Sequence, residues 1–370
     1  MRKTCFWIFL FVILYLFFEV ASLLGLFLLK HLRNYTYSPI LASSVSDEHR
    51  DILNNLLQGR ADYLAHSPTL GWTIKNNGLS GLYRANSQGI RANREYPLTP
   101  PADTVRIAAF GDSFTHCDDV GNEDTWQERM NAASEKVEVI NFGVGGYGLD
   151  QAFLRYQQDG IHFNPHIVFI GFMPENIYRA VNVFRPFYVP ATGIPLAKSR
   201  FALKDDMLVL LGNPMPTLSD YDDLLARPKA ILQGLGAHDY YYQSPAYYKK
   251  GPLDFLPSVR LFKIARLALT RISNTGSSNA GGSHYSKDSE ALKITLKIFD
   301  EFVASATENK SFPIIVLFPD KVDIISYREN GTRKYEPLIE HFEQHGHKYV
   351  DTLFAFEQYG KDSAIGELIT

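Results

Sequence analysis

The sequence predicts an α/β protein: a five-stranded parallel sheet with helices on both faces, a membrane-spanning helix ahead of it and a large insertion after the third strand. Three observations predict it. From residue 105 onward, short apolar runs of strand type alternate with stretches of helical spacing, the pattern of successive βαβ units. The N-terminus carries an apolar run long enough to cross a bilayer. The alternation then stops from about 177 to 283 and resumes, and a stretch of that length is an insertion rather than a loop.

The elements follow in order. Residues 47–64 space Ile52, Leu53, Leu56 and Leu57 as a helix does, and Gly, Pro and Asn then become frequent up to Pro101, a loop-rich lead-in. VRIAAF (105–110), VEVINF (137–142) and HIVFIGF (166–172) read as strands, with helices over 125–134 and 149–160 between them. Within the insertion, DYYYQSPAYY (239–248) is a tyrosine cluster, SVRLFKIARLALTRI (258–272) an amphipathic basic helix, and 273–283 a polar connector. Regular order returns with a helix over 286–306, a strand at 313–318, a helix over 336–344 and a strand at 348–351. The organisation is thus an anchor (1–34), a lead-in (35–104) and one α/β domain (105–370) with its insertion.

Composition narrows the classes. Thirty-seven basic against 40 acidic residues leave a formal charge of −3, which offers no basic field for nucleic acid. Two cysteines, Cys5 and Cys117, define no disulfide framework. The run from Cys5 to Leu29 is broken by Glu19 alone and flanked by Arg2, Lys3, Lys30 and Arg33. It exceeds a signal-peptide core and is read as an uncleaved single-pass anchor, with a cleaved signal and then a buried core helix as the alternatives. Flanking charges are nearly balanced, with a lean to the N-terminus inside, so that the domain is expected on the periplasmic or extracellular side. An acid within a span is costly and often paired; Glu19 is read as a tolerated acid that snorkels or is protonated, with contact to a second membrane protein as the alternative.

In a doubly wound sheet, ligands bind beyond the carboxyl ends of the strands. Ser113, Gly143 to Gly146, Pro174 to Asn176, Asp320 and Asp351 all fall at that edge, whereas His347 precedes its strand and belongs to the opposite one. A serine nucleophile needs a base for its proton and donors for the developing oxyanion. The turn Gly111-Asp112-Ser113-Phe114 exposes a hydroxyl at a helix N-terminus, where backbone N–H groups are free. Taken alone, that turn is equally a capping motif.

IAAFGDSFT, INFGVGGYGLDQ and FIGFMPENI occur in this order, each ending an apolar strand. Here the chain resembles the SGNH/GDSL hydrolase family, over roughly 106–351 with the insertion matched only loosely. The resemblance implies a three-layer, flavodoxin-like α/β/α fold with Ser113 as nucleophile, and with Ser113, Gly146 and Asn176 as the oxyanion donors. Asn176 stands in Pro-Glu-Asn-Ile where the family shows Gly-Asn-Asp, and a helix cap is the rival reading. Asp112, His116 and Asp351 are expected around the pocket.

The family's Asp-x-x-His is missing: no histidine follows Asp351. This favours a fragment over a natural end. His116, three residues past Ser113, lies too close in sequence to reach a nucleophile–base geometry. His284 is expected at the surface, and His341 and His345 on a polar helix face. The base is left unassigned. No Cys/His metal spacing and no P-loop lysine accompanies GVGGYG, so neither metal nor cofactor is expected.

By the resemblance, the chain is a serine esterase or acyl-transfer enzyme acting on ester-linked acyl groups, O-acetyl groups of cell-surface or exported carbohydrate being the favoured class. The alternatives are a lipid esterase or thioesterase, and a non-catalytic SGNH-like binding or assembly protein.

Overall fold

The strands are buried on both faces, as their near-continuous apolar runs require: the last five of the six residues in β1 (Val105–Phe110) are buried. With β2 (Val137–Asn141), β3 (Ile167–Phe172), β4 (Phe312–Leu317) and β5 (Tyr349–Asp351), β1 forms a parallel sheet in the order β2-β1-β3-β4-β5. The predicted α/β fold is therefore the one observed. The structure is a computed structural model and describes residues 2–33, 37–244, 247–273 and 284–358. Apart from Ser273, the expected connector over 273–283 lies outside the described residues.

The helices used below are α1 (Arg2–Arg33), α2 (Asp47–Leu57), α3 (Ser113–His116), α4 (Trp126–Ala133), α5 (Leu149–Gln158), α6 (Asn176–Arg179), α7 (Pro257–Ser273), α8 (Glu290–Glu308), α9 (Lys321–Asn330), α10 (Glu336–His345) and α11 (Leu353–Gln358). Alternate strand residues face opposite layers. Phe110 and Phe172 meet Tyr156 of α5 and Phe299 of α8, with ring centroids 5.5 and 5.3 Å apart, and Phe169 meets Trp126 of α4 at 6.2 Å on the other face.

Two of the differences from the expected boundaries bear on the layers around the sheet. The helix expected over 47–64 stops at Leu57, because Gly59 turns the chain with φ +69°, and Leu64–Ser67 then pairs antiparallel with Gly71–Ile74. Helix α9 was not anticipated. Asp320 caps it and Asp323 returns the bond, Asp323 N to Asp320 Oδ1 at 2.8 Å and Asp320 N to Asp323 Oδ2 at 3.1 Å, so Asp320 has a structural task at the edge.

The lead-in shares one continuous apolar core with the sheet: Leu53, Trp72 and Ile90 belong to the same cluster as Phe110 and Phe142. It also grips the loop after β2. Trp72 Nε1 donates to the Gly145 carbonyl at 3.1 Å, and the Tyr147 hydroxyl donates to the Trp72 carbonyl at 2.7 Å.

Buried carboxylates hold the insertion. Asp239 accepts from Asn182 Nδ2 (2.8 Å) and from the N–H groups of Val183 (2.6 Å), Phe184 (3.2 Å), Tyr241 (2.9 Å) and Tyr242 (3.2 Å). Asp150, at the start of α5, forms a fully buried ion pair with Lys198. The tyrosine cluster packs largely on itself and its neighbours, with Tyr241 completely buried against Tyr188 and Tyr247.

Lys3–Leu32 is one helix long and apolar enough to cross a membrane. Glu19 finds its partner within the chain: the Ser258 N–H and hydroxyl donate to its carboxylate at 3.0 and 2.5 Å.

Removing one member of a buried ion pair strands the other charge. Lys198→Met is expected to destabilise the fold by about 3–5 kcal/mol, read as a lowered urea midpoint, whereas exchange of the exposed Arg227 of the Arg227–Asp223 pair moves it little.

Candidate active site

In the order β2-β1-β3, the chain leaves β1 toward one side of the sheet and β3 toward the other, which opens a crevice between their carboxyl ends. Ser113 stands at the end of β1 and Asn176 at the end of β3. Asp112 joins them. Its Oδ1 caps α3 by accepting from the Phe114 N–H at 2.9 Å, and its Oδ2 accepts from Asn176 Nδ2 at 2.8 Å. Asn176 is thus the first residue of α6 and caps nothing; its amide, 1% exposed, reaches across the crevice. Among the described residues its Oδ1 has no partner, an orphan of the kind that accompanies functional sites.

Ser113 is half-buried, and its hydroxyl has no hydrogen-bond partner among the described residues. The same holds for the backbone N–H groups of Ser113 and Gly146. Gly146 has φ +81°, and a Cβ there would lie 3.0 Å from Ile194 Cδ1. Gly143 is needed for a closer approach: a Cβ would sit 2.3 Å from the His116 backbone nitrogen, so the β2 loop can lie against α3 only without a side chain.

Charge surrounds this turn in a way that sequence reading missed. Arg179, on α6, donates from Nη1 to the Tyr147 carbonyl at 2.7 Å, pairs with Glu175 at 2.5 Å and lies 3.8 Å from Asp112 Oδ2. Arg185 donates from Nη1 to the Gly146 carbonyl at 3.0 Å and from Nε to Thr192 Oγ1 at 3.1 Å. Burial, then the neighbouring Arg179, push its pKa down to about 10. Burial raises the Asp112 pKa and outweighs Arg179 and Asn176, both of which favour the carboxylate; Arg179 is shared with the nearer Glu175. The only sequence signal was two arginines inside a largely apolar stretch.

The other expected residues lie elsewhere. The His116 ring is buried beneath the lead-in, with Nε2 2.7 Å from the Tyr63 hydroxyl and Nδ1 2.5 Å from Asp118 Oδ1. Arg91 donates to the Cys117 carbonyl at 2.7 Å beside it. Both ring nitrogens are occupied by structural partners, so in this geometry His116 ties the lead-in to α3 and neither lines a pocket nor serves as base. Burial, against the pull of Asp118, lowers its pKa. Asp351 likewise spends its carboxylate on Arg333 Nη1 (3.1 Å), the Tyr335 hydroxyl (3.1 Å) and the Leu353 N–H (3.0 Å).

Two further expectations need correction. His341, expected to be solvated, shares Asp300 Oδ1 with His347, at 2.7 and 2.8 Å, on the far edge of the sheet. His284, expected at the surface, is buried in a box of Tyr178, Tyr240 and Tyr241, with ring centroids 4.5, 5.1 and 6.2 Å away, and its Nε2 is without a partner among the described residues. Desolvation pushes its pKa down to about 4. The adjoining Tyr285 hydroxyl donates to the Pro174 carbonyl at 2.6 Å, so the segment ahead of α8 is fastened to the loop that leads from β3 to Asn176. None of the eleven histidines of the chain hydrogen-bonds to Ser113.

No protein-family model and no curated protein matches the chain. Among solved structures, it is similar to a protein from Desulfitobacterium hafniense DCB-2 assigned to the G-D-S-L lipolytic family, at 12% identity over 67% of this chain and 77% of that one, with a TM-score of 0.30. It is also similar to LAE5, an alpha/beta hydrolase from the metagenome of Lake Arreo, Spain, at 15% identity over 69% and 80% of the two chains, with a TM-score of 0.32. Neither superposition is close enough to transfer an activity or a residue assignment.

Asp112→Ala leaves the Phe114 N–H and the Asn176 amide without their acceptor, at an expected cost of about 1–3 kcal/mol in denaturant unfolding. His284 supplies a pH signature. Its pKa is about 4 in the fold against roughly 6.5 unfolded, so the unfolded chain takes the proton first. The stability this group contributes is complete above about pH 6.5 and is lost as pH falls toward 4, on the order of 3 kcal/mol in all. In His284→Gln, urea midpoints measured between pH 7 and 4.5 should fall by correspondingly less than in the parent.

Proposed function

We propose that the chain is a serine-dependent esterase or acyl-transfer enzyme acting on ester-linked acyl groups, with O-acetyl groups of cell-surface or exported carbohydrate as the substrate class. One observation carries the reading: the Ser113 hydroxyl, its own backbone N–H and the N–H of Gly146 in the neighbouring β2 loop have no partner among the described residues. Unused donors beside a free hydroxyl match the requirement of a tetrahedral intermediate.

In the proposed reaction, Ser113 Oγ adds to the ester carbonyl carbon and gives its proton to a base. The carbonyl oxygen takes up the charge and accepts from Ser113 N, Gly146 N and the second N–H of the Asn176 amide. Collapse breaks the ester bond, the leaving alkoxide takes a proton, and the acyl group passes from Ser113 to water in hydrolysis or to a second hydroxyl in transfer. Asp112 acts through Asn176 and α3, which makes it a positioning residue.

A second reading, a non-catalytic SGNH-like binding or assembly protein, is favoured by the lack of any imidazole bonded to Ser113. A lipid esterase or thioesterase is the third. An exported position for the domain accords with polysaccharide as substrate, whereas the self-packed tyrosines lend sugar stacking little support.

A fluorophosphonate probe is expected to label the parent and to leave Ser113→Ala unlabelled. Labelling retained in the variant excludes Ser113 as nucleophile, and an unlabelled parent favours the non-catalytic reading. Acetate release from acetylated sugars, set against fatty-acyl release from lipid esters, separates the first reading from the third.

A further inference from the structure

Helix α7 of the insertion packs along the C-terminal half of α1, and a polar pair is satisfied in the seam between them. Glu19 accepts from Ser258, Ser22 is 2% exposed, and Gly25 lets Leu261 approach, since a Cβ at Gly25 would meet Leu261 Cδ2 at 3.3 Å. Small residues at the contact and polar groups satisfied across it are the pattern of helix pairs that meet in lipid.

The charged side of α7 is turned the other way, toward the domain. Lys263 Nζ donates to Asp254 Oδ1 at 2.6 Å and to the Lys249 carbonyl at 2.9 Å, and Arg260 donates to the Asp254 carbonyl. Two apolar side chains of α7, Phe262 and Leu269, are left 67% and 66% exposed, and Phe255 just ahead of the helix 68%. Phe262 and Leu269 are seven residues apart and so share one face of the helix. On α1, Leu24 and Phe27, beside the seam, are likewise 57% and 56% exposed.

We propose that α7 is a second membrane-embedded element, lying beside α1 with Phe255, Phe262 and Leu269 covered by lipid acyl chains. The proposal rests on α1 spanning the membrane. The occupant is a bilayer because α7 packs on α1, the one element of the described chain long and apolar enough to cross, and both helices leave large apolar side chains exposed, while the polar side of α7 is spent on the domain. Burying such side chains in hydrocarbon removes their apolar area from water, and the cations of α7 stay at the protein-facing boundary. The domain is then bolted to the membrane surface at two places instead of swinging on a tether. Its Ser113 crevice is held at a set height above the lipid, where a membrane-proximal substrate presents its ester.

The test uses the full chain in phospholipid vesicles, with Cys5 and Cys117 replaced and a nitroxide placed at Phe262→Cys, Leu269→Cys, Leu24→Cys on α1, or Leu82→Cys in the lead-in. Collisional accessibility to oxygen and to a water-soluble nickel chelate is measured at each. At 262 and 269, oxygen is expected to exceed the chelate, the inverse of the ratio at the solvent-exposed position 82. A chelate-dominated ratio at 262 and 269 overturns the proposal, and low accessibility to both reagents overturns it in favour of a protein partner. Position 24 reports the anchor separately: lipid at 24 with water at 262 refutes α7 alone, and water at 24 refutes the anchor as well. Phe262→Trp, closer in volume, gives a second measure, since brominated acyl chains should quench an added fraction of emission relative to the parent.

Discussion

The Asp112 carboxylate is the junction on which the arrangement of the crevice depends. A parallel sheet brings the ends of β1 and β3 to one edge, yet strands alone do not set the loops beyond them. Asp112 does so with two oxygens, one capping α3 and the other holding the amide of Asn176. Burial raises the cost of its charge, and the hydrogen bonds and nearby Arg179 offset only part of that cost. A buried carboxylate with a donor for each oxygen fixes direction as well as distance, which a hydrophobic contact would not.

Around this junction, the lead-in and the insertion each take hold of a loop. Trp72 of the lead-in binds the β2 loop at Gly145 and Tyr147, Tyr63 and Arg91 fasten the end of α3 to the same layer, and Arg185 and Tyr285 reach the β2 and β3 loops from the other side. Segments outside the sheet therefore act as its loop clamps. If α7 is itself seated in lipid, the same insertion that clamps the crevice also sets its distance from the membrane.

Much of the fold was legible. Strands at 105–110, 137–142 and 166–172 and helices at 125–134 and 149–160 appear within a residue or two of their expected bounds, because a strand buried on both faces has to be apolar throughout and a surface helix has to keep one apolar stripe. The helix at 258–272 was legible for the same reason. Helix α9 was not, since its buried residues are few and its signal is an Asp320–Asp323 capping box instead of an apolar stripe. The candidate site was legible where local chemistry marks it, in a turn after a strand and a glycine-rich loop. It was illegible where partners are distant in sequence.

By itself, then, the sequence determined the alternation of strands and helices, the long apolar N-terminal helix, the position of Ser113 at a strand end and the glycines that admit close approach. Each is a property of neighbours along the chain, governed by periodicity, turn geometry and apolar length. Only the tertiary structure decided that Asn176 spans to Asp112 instead of capping its own helix, that His116 and Asp351 are spent on structural partners, that His284 is buried, and that Glu19 is answered by Ser258. Those outcomes depend on which polar atoms are brought together after burial. A buried hydrogen-bonding group takes the nearest partner in space, and sequence separation does not constrain that choice.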